Sequence, residues 1–411
     1  MTARRQLIIS AALAPLASLT KLSLAATPAT ARSDARRFVF LILRGGMDGL
    51  VAVPAVGDPT FSDARGPLAV FNGTPLKLDN TFALNPLLPQ LHAMYGQGEL
   101  AVVQATGLPY RERSHFDAQQ VLESGGNKPH ELATGWLGRA LALASDGQGG
   151  PAGGLKAVAL ETAVPLVLRG PTAVDTWAPS ALPDPSAELV QRLELMYRND
   201  PALAQALARA RVLREEPGMA ANPQDMGGGG AGGGAGGNTN RKAAIALATK
   251  AAEFLQRGSQ VAVMEMGGWD SHVNAATANG ALSNNLRTLD ATLAALREGL
   301  LPGGAWSRSV VLVATEFGRE VAVNGNAGAD HGTGGAAFLL GGAVRGGRVI
   351  ADWPGLAKKD RYEGRDLRIT TDLRAVLRTV LADHLQVPRA ALDRTVLPGS
   401  GALARLDLLK G

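Results

Sequence analysis

The sequence predicts a three-layer α/β sandwich with a mostly parallel central sheet. Nearly continuous apolar runs recur along the chain, segments with helical periodicity separate them, and most runs end in glycine-flanked polar residues. The runs are Phe38–Leu43, Leu100–Gln104, Leu155–Leu160, Val261–Glu265, Val310–Ala314 and Ala337–Leu340. Runs of this kind suit parallel strands covered on both faces, whereas a half-exposed strand would alternate apolar and polar residues. Helices are expected at Leu87–Tyr95, Ala187–Arg198, Pro201–Arg214, Arg241–Gln256, Ser283–Leu300 and Thr371–His384, and the alternation is that of βαβ units.

The chain opens on Met1-Thr-Ala-Arg4-Arg5, continues apolar from Leu7 to about Leu19, and then reaches the small residues Ala29-Thr-Ala31. That is the layout of a signal peptide, and residues 1–31 are expected to be one. Pro15 and Ser18 interrupt the apolar stretch, which falls short of the roughly 20 residues that span a bilayer. The paired arginines point to the twin-arginine export machinery as a partner, with an ordinary secretory leader as the alternative. A periplasmic or secreted protein with no lasting membrane anchor follows.

Among 411 residues there is no cysteine, which excludes disulfides, thiolate ligands and a cysteine nucleophile. The net charge of +5 is scattered rather than gathered into a basic stripe with interleaved aromatics, so nucleic-acid binding is not supported. Gly227–Gly237 is almost side-chain-free and reads as a disordered loop at about 226–240 within a single domain spanning 32–411; two separate domains are the alternative. Pro171–Pro185 reads as an irregular excursion.

Ligands of open parallel sheets collect at the carboxyl ends of the strands, so the residues there bear the chemistry. The first run is followed by Arg44-Gly-Gly-Met-Asp48-Gly49, the Val261 run by Gly267-Gly-Trp-Asp270-Ser-His272, and the Val310 run by Thr315-Glu316-Phe-Gly-Arg319. Gly328-Ala-Asp330-His331-Gly precedes the last run, and Arg113-Ser114-His115-Phe-Asp117 follows the Leu100 run and enters a helix. Carboxylates and imidazoles delivered from several strand ends suit a divalent cation, and these residue types alone leave zinc, manganese, magnesium and calcium open. Each piece also has a plain reading: Asp48 as a helix cap, Glu316 with Arg319 as an ion pair, and Ser114 as an N-cap with Asp117 completing a capping box. Of the six histidines, His92, His130 and His384 lie outside these junctions and read as structural.

The ordered series Arg44-Gly-Gly-Met-Asp48-Gly, Ser114-His115-Phe-Asp-Ala-Gln119, Gly135-Trp-Leu-Gly-Arg139, Gly268-Trp-Asp270-Ser-His272, Thr315-Glu316-Phe-Gly-Arg319 and Asp330-His331-Gly resembles the bacterial domain of unknown function 1501 family, from about Arg37 to about Gly347. That family looks like a distant branch of the alkaline phosphatase and sulfatase superfamily, and its members commonly carry twin-arginine leaders. The resemblance implies an alkaline phosphatase-like domain acting as a metal-dependent hydrolase of phosphate, sulfate or related anionic esters. It implies metal ligands among Asp48, Asp270, His272, Glu316, Asp330 and His331. Ser114 would be the nucleophile, with His115 and Arg319 as catalytic groups and Arg44 and Arg113 binding the anionic substrate. Two departures bear on this: one residue separates Asp270 from His272 where the superfamily's phosphatases place three, and Phe317 stands where a ligating histidine is expected. A non-catalytic binding or assembly protein with a degenerate metal site is the alternative.

Overall fold

The computed structural model describes residues 35–144, 156–179, 187–201, 203–205, 207–208, 237–275 and 277–410. The expected leader, the glycine-rich stretch up to residue 236 and the end of the expected helix Pro201–Arg214 lie outside the described residues. The strands are β1 (Arg37–Leu43), β2 (Leu76–Lys77), β3 (Ala83–Leu84), β4 (Leu100–Gly107), β5 (Ala157–Ala159), β6 (Asp175–Thr176), β7 (Val261–Met266), β8 (Ser309–Thr315), β9 (Gly335–Leu340), β10 (Arg348–Ile350) and β11 (Thr371–Asp372). β2 and β3 form a small hairpin apart from the main sheet. The main sheet runs β10-β4-β9-β8-β1-β7-β5-β6, with β11 added beside β4.

Among the described residues only β9 is reversed: it pairs antiparallel with both β4 and β8, and every other pairing in the sheet is parallel. The carboxyl ends of β1, β4, β7 and β8 therefore meet the amino end of β9 along one edge. This edge receives every polar junction that the sequence singled out.

β1 shows why the sheet has two covered faces. Phe38, Phe40 and Ile42 pack into one core with Trp136 and Leu377, whereas Val39, Leu41 and Leu43 pack into another with Leu255, Leu289 and Leu293. A strand side chain alternates faces at every residue, so an unbroken apolar run needs two hydrophobic layers to bury it. Trp136 is fully buried, stands edge-on to Phe40 at 5.4 Å between ring centroids, and donates its indole N–H to the Leu122 carbonyl at 3.0 Å. Helices Gly237–Gln256 and Ala281–Leu300 form the other layer. Among the described residues, no helix is long and apolar enough to cross a membrane.

Two expectations change. Thr371–Asp372 opens no helix but adds β11 beside Thr106 and Gly107, and the Asp372 carboxylate then caps helix Leu373–Thr379 by accepting from the Arg374 N–H at 2.8 Å. Within Pro171–Pro185, Asp175–Thr176 pairs as edge strand β6.

His384, which the sequence left as structural, lies buried beneath β1 and donates from Nε2 to the Arg37 carbonyl at 2.8 Å. Burial pushes its pKa from 6.5 down to about 4, against the opposing effect of that hydrogen bond. Between those values the unfolded chain binds the extra proton, so the contribution of up to about 3 kcal/mol is complete above pH about 6.5 and is lost as pH falls toward 4. Urea titrations across this range are expected to show a shallower pH dependence for His384→Gln than for the wild type; identical slopes would remove His384 as the cause.

Candidate metal centre

The loop after β1 makes its turn with Gly45 at φ +118° and Gly46 at φ +65°, a region that favours glycine. A Cβ at Gly45 would fall 2.7 Å from the Asp270 backbone nitrogen, and one at Gly46 would fall 2.7 Å from the Phe317 ring. The two glycines thus let the loops after β1, β7 and β8 touch.

Arg319 fastens these loops from inside and is 2% exposed. Its Nε donates to the Gly46 carbonyl at 2.7 Å and its Nη1 to the Ala329 carbonyl at 3.2 Å. Nη2 donates to the carbonyls of Gly45 and Trp269 and to Asp270 Oδ1, the last at 2.6 Å. Nη1 also lies 3.5 Å from His272 Nε2, so Arg319, expected as a catalytic group, joins the loops and touches the cluster.

His115, Asp270 and His331 offer ligand atoms that all lie within 4.8 Å of one another. His115 Nε2 is 3.0 Å from His331 Nε2, and Asp270 Oδ1 is 3.6 Å from the first and 3.4 Å from the second. His272 joins them, with its Nε2 2.9 Å from His331 Nε2 and 3.0 Å from Asp270 Oδ1.

The far nitrogen of each ring fixes what the near nitrogen presents. His115 Nδ1 meets Glu316 Oε1 at 2.7 Å, His272 Nδ1 meets Asp330 Oδ1 at 2.9 Å, and His331 Nδ1 meets the Arg113 carbonyl at 3.0 Å. Those oxygens only accept, so each Nδ1 carries the hydrogen, and in the neutral ring each Nε2 turns a lone pair toward the others. Burial, and then the proximity of His115 and Arg319, holds His331 below its ordinary pKa, which disfavours an added proton. The Nε2 lone pairs of His115 and of His272 both lie against His331 Nε2, and such lone pairs repel one another unless a cation lies among them. The donor set therefore fits a metal ion.

A supporting layer surrounds these four residues. Glu316 is 1% exposed, and its Oε1 also accepts from the Gly45 N–H at 2.8 Å and from Gln119 at 2.9 Å. Burial opposes its ionisation, but donation from His115, Gln119 and the backbone outweighs burial and holds the carboxyl below its usual range. Asp330 accepts from Asn324 Nδ2 at 2.9 Å. Arg113 sits in the left-handed region at φ 61°, a strained conformation at the residue whose carbonyl anchors His331. Gln119 and Asn324 were not singled out from the sequence. Gln119 carried a usable signal, since it lies four residues after His115 on the same helix face; Asn324 carried none.

The other expected residues are placed differently. Asp48 caps helix Gly49–Ala52, accepting at Oδ1 from the N–H groups of Leu50 and Val51, and pairs through Oδ2 with buried Arg65 at 2.5 Å. Both oxygens are engaged away from the cluster, so the cap reading holds for Asp48. Ser114 occupies the N-cap position of helix His115–Ser124 but makes no cap bond, and Asp117 accepts from the Tyr110 hydroxyl at 3.2 Å instead of closing a capping box. Arg44 pairs with Glu123 at 2.8 Å and with Glu265, and Arg113 pairs with Asp366 at 2.8 Å and with Glu363 at 2.5 Å. Neither guanidinium is presented unpaired to a substrate.

A mostly parallel α/β sheet with an imidazole and carboxylate cluster on its carboxyl edge defines the class. The chain belongs to the family described as Protein of unknown function (DUF1501), whose sequence profile matches residues 93–395. No curated protein matches the chain. Among solved structures it is similar to a sulfatase from Pseudoalteromonas sp., at 11% identity over 91% of this chain and 71% of that one, with a TM-score of 0.42. It is also similar to a phosphonate monoester hydrolase of Agrobacterium radiobacter, at 12% identity, 86% and 74% coverage and a TM-score of 0.34. A third is the C-terminal periplasmic domain of EcEptC from Escherichia coli, solved with zinc, at 11% identity, 92% and 94% coverage and a TM-score of 0.36. These are distant likenesses.

If Arg319 joins the loops, Arg319→Met leaves several buried carbonyls without donors. A loss of at least about 3 kcal/mol in urea unfolding is expected. A variant as stable as the wild type would remove the joining role.

Proposed function

We propose that this chain is an exported, metal-dependent hydrolase of phosphate, sulfate or related anionic esters. The observation that carries the reading is the convergence of the His115, His272 and His331 Nε2 atoms with Asp270 Oδ1 at the strand edge where α/β proteins bind ligands. His115, Asp270 and His331, with His272 beside them, would hold a divalent ion, which supplies Lewis-acid polarisation of an ester oxygen.

Ser114 is the proposed nucleophile. It directly precedes His115 and leaves its helix N-terminus uncapped, so the first-turn N–H groups of the ten-residue helix His115–Ser124 remain available to an anion. Close by, Tyr110 donates its hydroxyl to Asp117 at 3.2 Å. Export through the twin-arginine machinery to the periplasm or beyond remains part of the proposal and rests on Arg4-Arg5 and the apolar stretch after them.

One observation favours a second reading. Arg44, Arg113 and Arg319 are all engaged by carboxylates or backbone carbonyls, which suits a binding or assembly protein that keeps the metal and has no turnover.

Purified mature protein, produced with its leader intact, is expected to contain a divalent metal that disappears in an Asp270→Ala, His331→Ala double variant, as read by elemental analysis. Ser114→Ala is expected to lower hydrolysis of aryl phosphate, phosphonate or sulfate esters by about 100-fold or more, with stability unchanged within about 0.5 kcal/mol. Metal-loaded wild type that hydrolyses none of these esters would sink the hydrolase reading and leave the binding one.

A further inference from the structure

We propose that the cluster is a single-ion centre selective for an imidazole-preferring cation of the zinc class, and that Glu316 acts on it as a positioning residue through His115. This rests on the metal-binding part of the preceding reading and is independent of whether an ester is cleaved.

The donor set argues for the ion class. Magnesium and calcium take six or more ligands that are almost all oxygen, whereas imidazole suits zinc and its neighbours. Two of the three mutually close donors are imidazole nitrogens, and a third imidazole, His272, stands beside them with its Nε2 2.9 Å from His331 Nε2. A tetrahedral zinc with bonds of about 2.0–2.1 Å sets its ligands about 3.3–3.4 Å apart. The separations of 3.0, 3.4 and 3.6 Å among His115 Nε2, His331 Nε2 and Asp270 Oδ1 bracket that value and leave a coordination position for a further ligand. The anchoring of each Nδ1 to an oxygen is also the arrangement that orients imidazoles for a metal.

The case for one ion comes from the acids left over. A second site needs Asp48 and Glu316, and neither is free to ligate. Asp48 has both oxygens in bonds to backbone N–H groups and Arg65. Glu316 meets three donors at Oε1 and the Thr315 hydroxyl at Oε2. Phe317, next to Glu316 in the chain, is 4% exposed and packs 4.6 Å from the His115 ring and 5.2 Å from the His331 ring, centroid to centroid. It fills that side of the cluster with carbon. Glu316 therefore reaches the centre only by holding the His115 Nδ1–H, and so by aiming Nε2.

The test uses full-length mature protein stripped with a chelator, titrated separately with zinc, cobalt(II), magnesium and calcium by calorimetry, and followed by elemental analysis. One equivalent of zinc or cobalt is expected, with no uptake of magnesium or calcium, and the cobalt form should show the visible absorption of a low-coordinate, nitrogen-rich site. Glu316→Gln is expected to keep one equivalent and to bind zinc 10- to 100-fold more weakly. His115→Ala should also weaken binding and should abolish the further effect of Glu316→Gln when the two are combined.

Two equivalents in the wild type, falling to one in Glu316→Gln, would overturn the single-ion proposal and make Glu316 a ligand. Unchanged zinc affinity in Glu316→Gln would overturn the positioning role, and uptake of magnesium or calcium in place of zinc would overturn the ion class. One zinc without esterase activity sinks only the hydrolase reading, whereas two ions with activity sink only this one. A chain that takes up no zinc overturns this inference whatever the esterase assay shows.

Discussion

The buried guanidinium of Arg319 is the interaction on which the strand-edge site depends. It bonds the carbonyls of Gly45 and Gly46 after β1, of Trp269 after β7, and of Ala329 before β9, and it ends on the Asp270 carboxylate. Loop carbonyls that face inward must find donors, because an unpaired buried carbonyl costs about 1–3 kcal/mol. One rigid fork with five N–H donors satisfies four of them and carries the charge that keeps Asp270 ionised. Lysine, with a single ammonium on a flexible stem, could not span these loops.

On that platform the imidazoles are arranged by what they touch from behind. Glu316, Asp330 and the Arg113 carbonyl each take one Nδ1 hydrogen, so His115 and His272 both turn Nε2 toward His331 Nε2. Glu316 is held in turn by Gln119, Gly45 and Thr315, and Asp330 by Asn324. The outer contacts thus run into ordered backbone and convert sheet rigidity into fixed ring orientation. The centre is also partly open, with Asp270 48% and His272 37% exposed at the side chain, so an incoming group can approach from that side.

The sheet was legible wherever a strand is buried on both faces, as in β1, β4, β7, β8 and β9, because continuous apolar runs leave no other explanation. β6, β10 and β11 were not, since two or three paired residues make no pattern, and Thr371–Asp372 looked like the start of the helix it merely caps. At the site, Asp270, His272 and His331 could be read from their positions at strand ends. His115 was assigned a catalytic or auxiliary role because strand order cannot be read from sequence; only β9 lying between β4 and β8 brings the end of β4 to this edge. Asp48 looked like a ligand for the opposite reason. Its partner Arg65 lies on a five-residue helix that carries no marked periodicity, and nothing local announces the pairing.

The reversed strand β9 has a kinetic consequence. His115 and its anchor Glu316 are 201 residues apart in the chain, and His272 and Asp330 are 58 apart. These segments meet only when β9 has slotted between β4 and β8, so closure of large chain loops must precede assembly of the cluster. An unfolded or half-folded chain presents scattered histidines with no chelating geometry. A metal held by this cluster would therefore be captured only after the sheet is complete, in the compartment where that last strand finds its place.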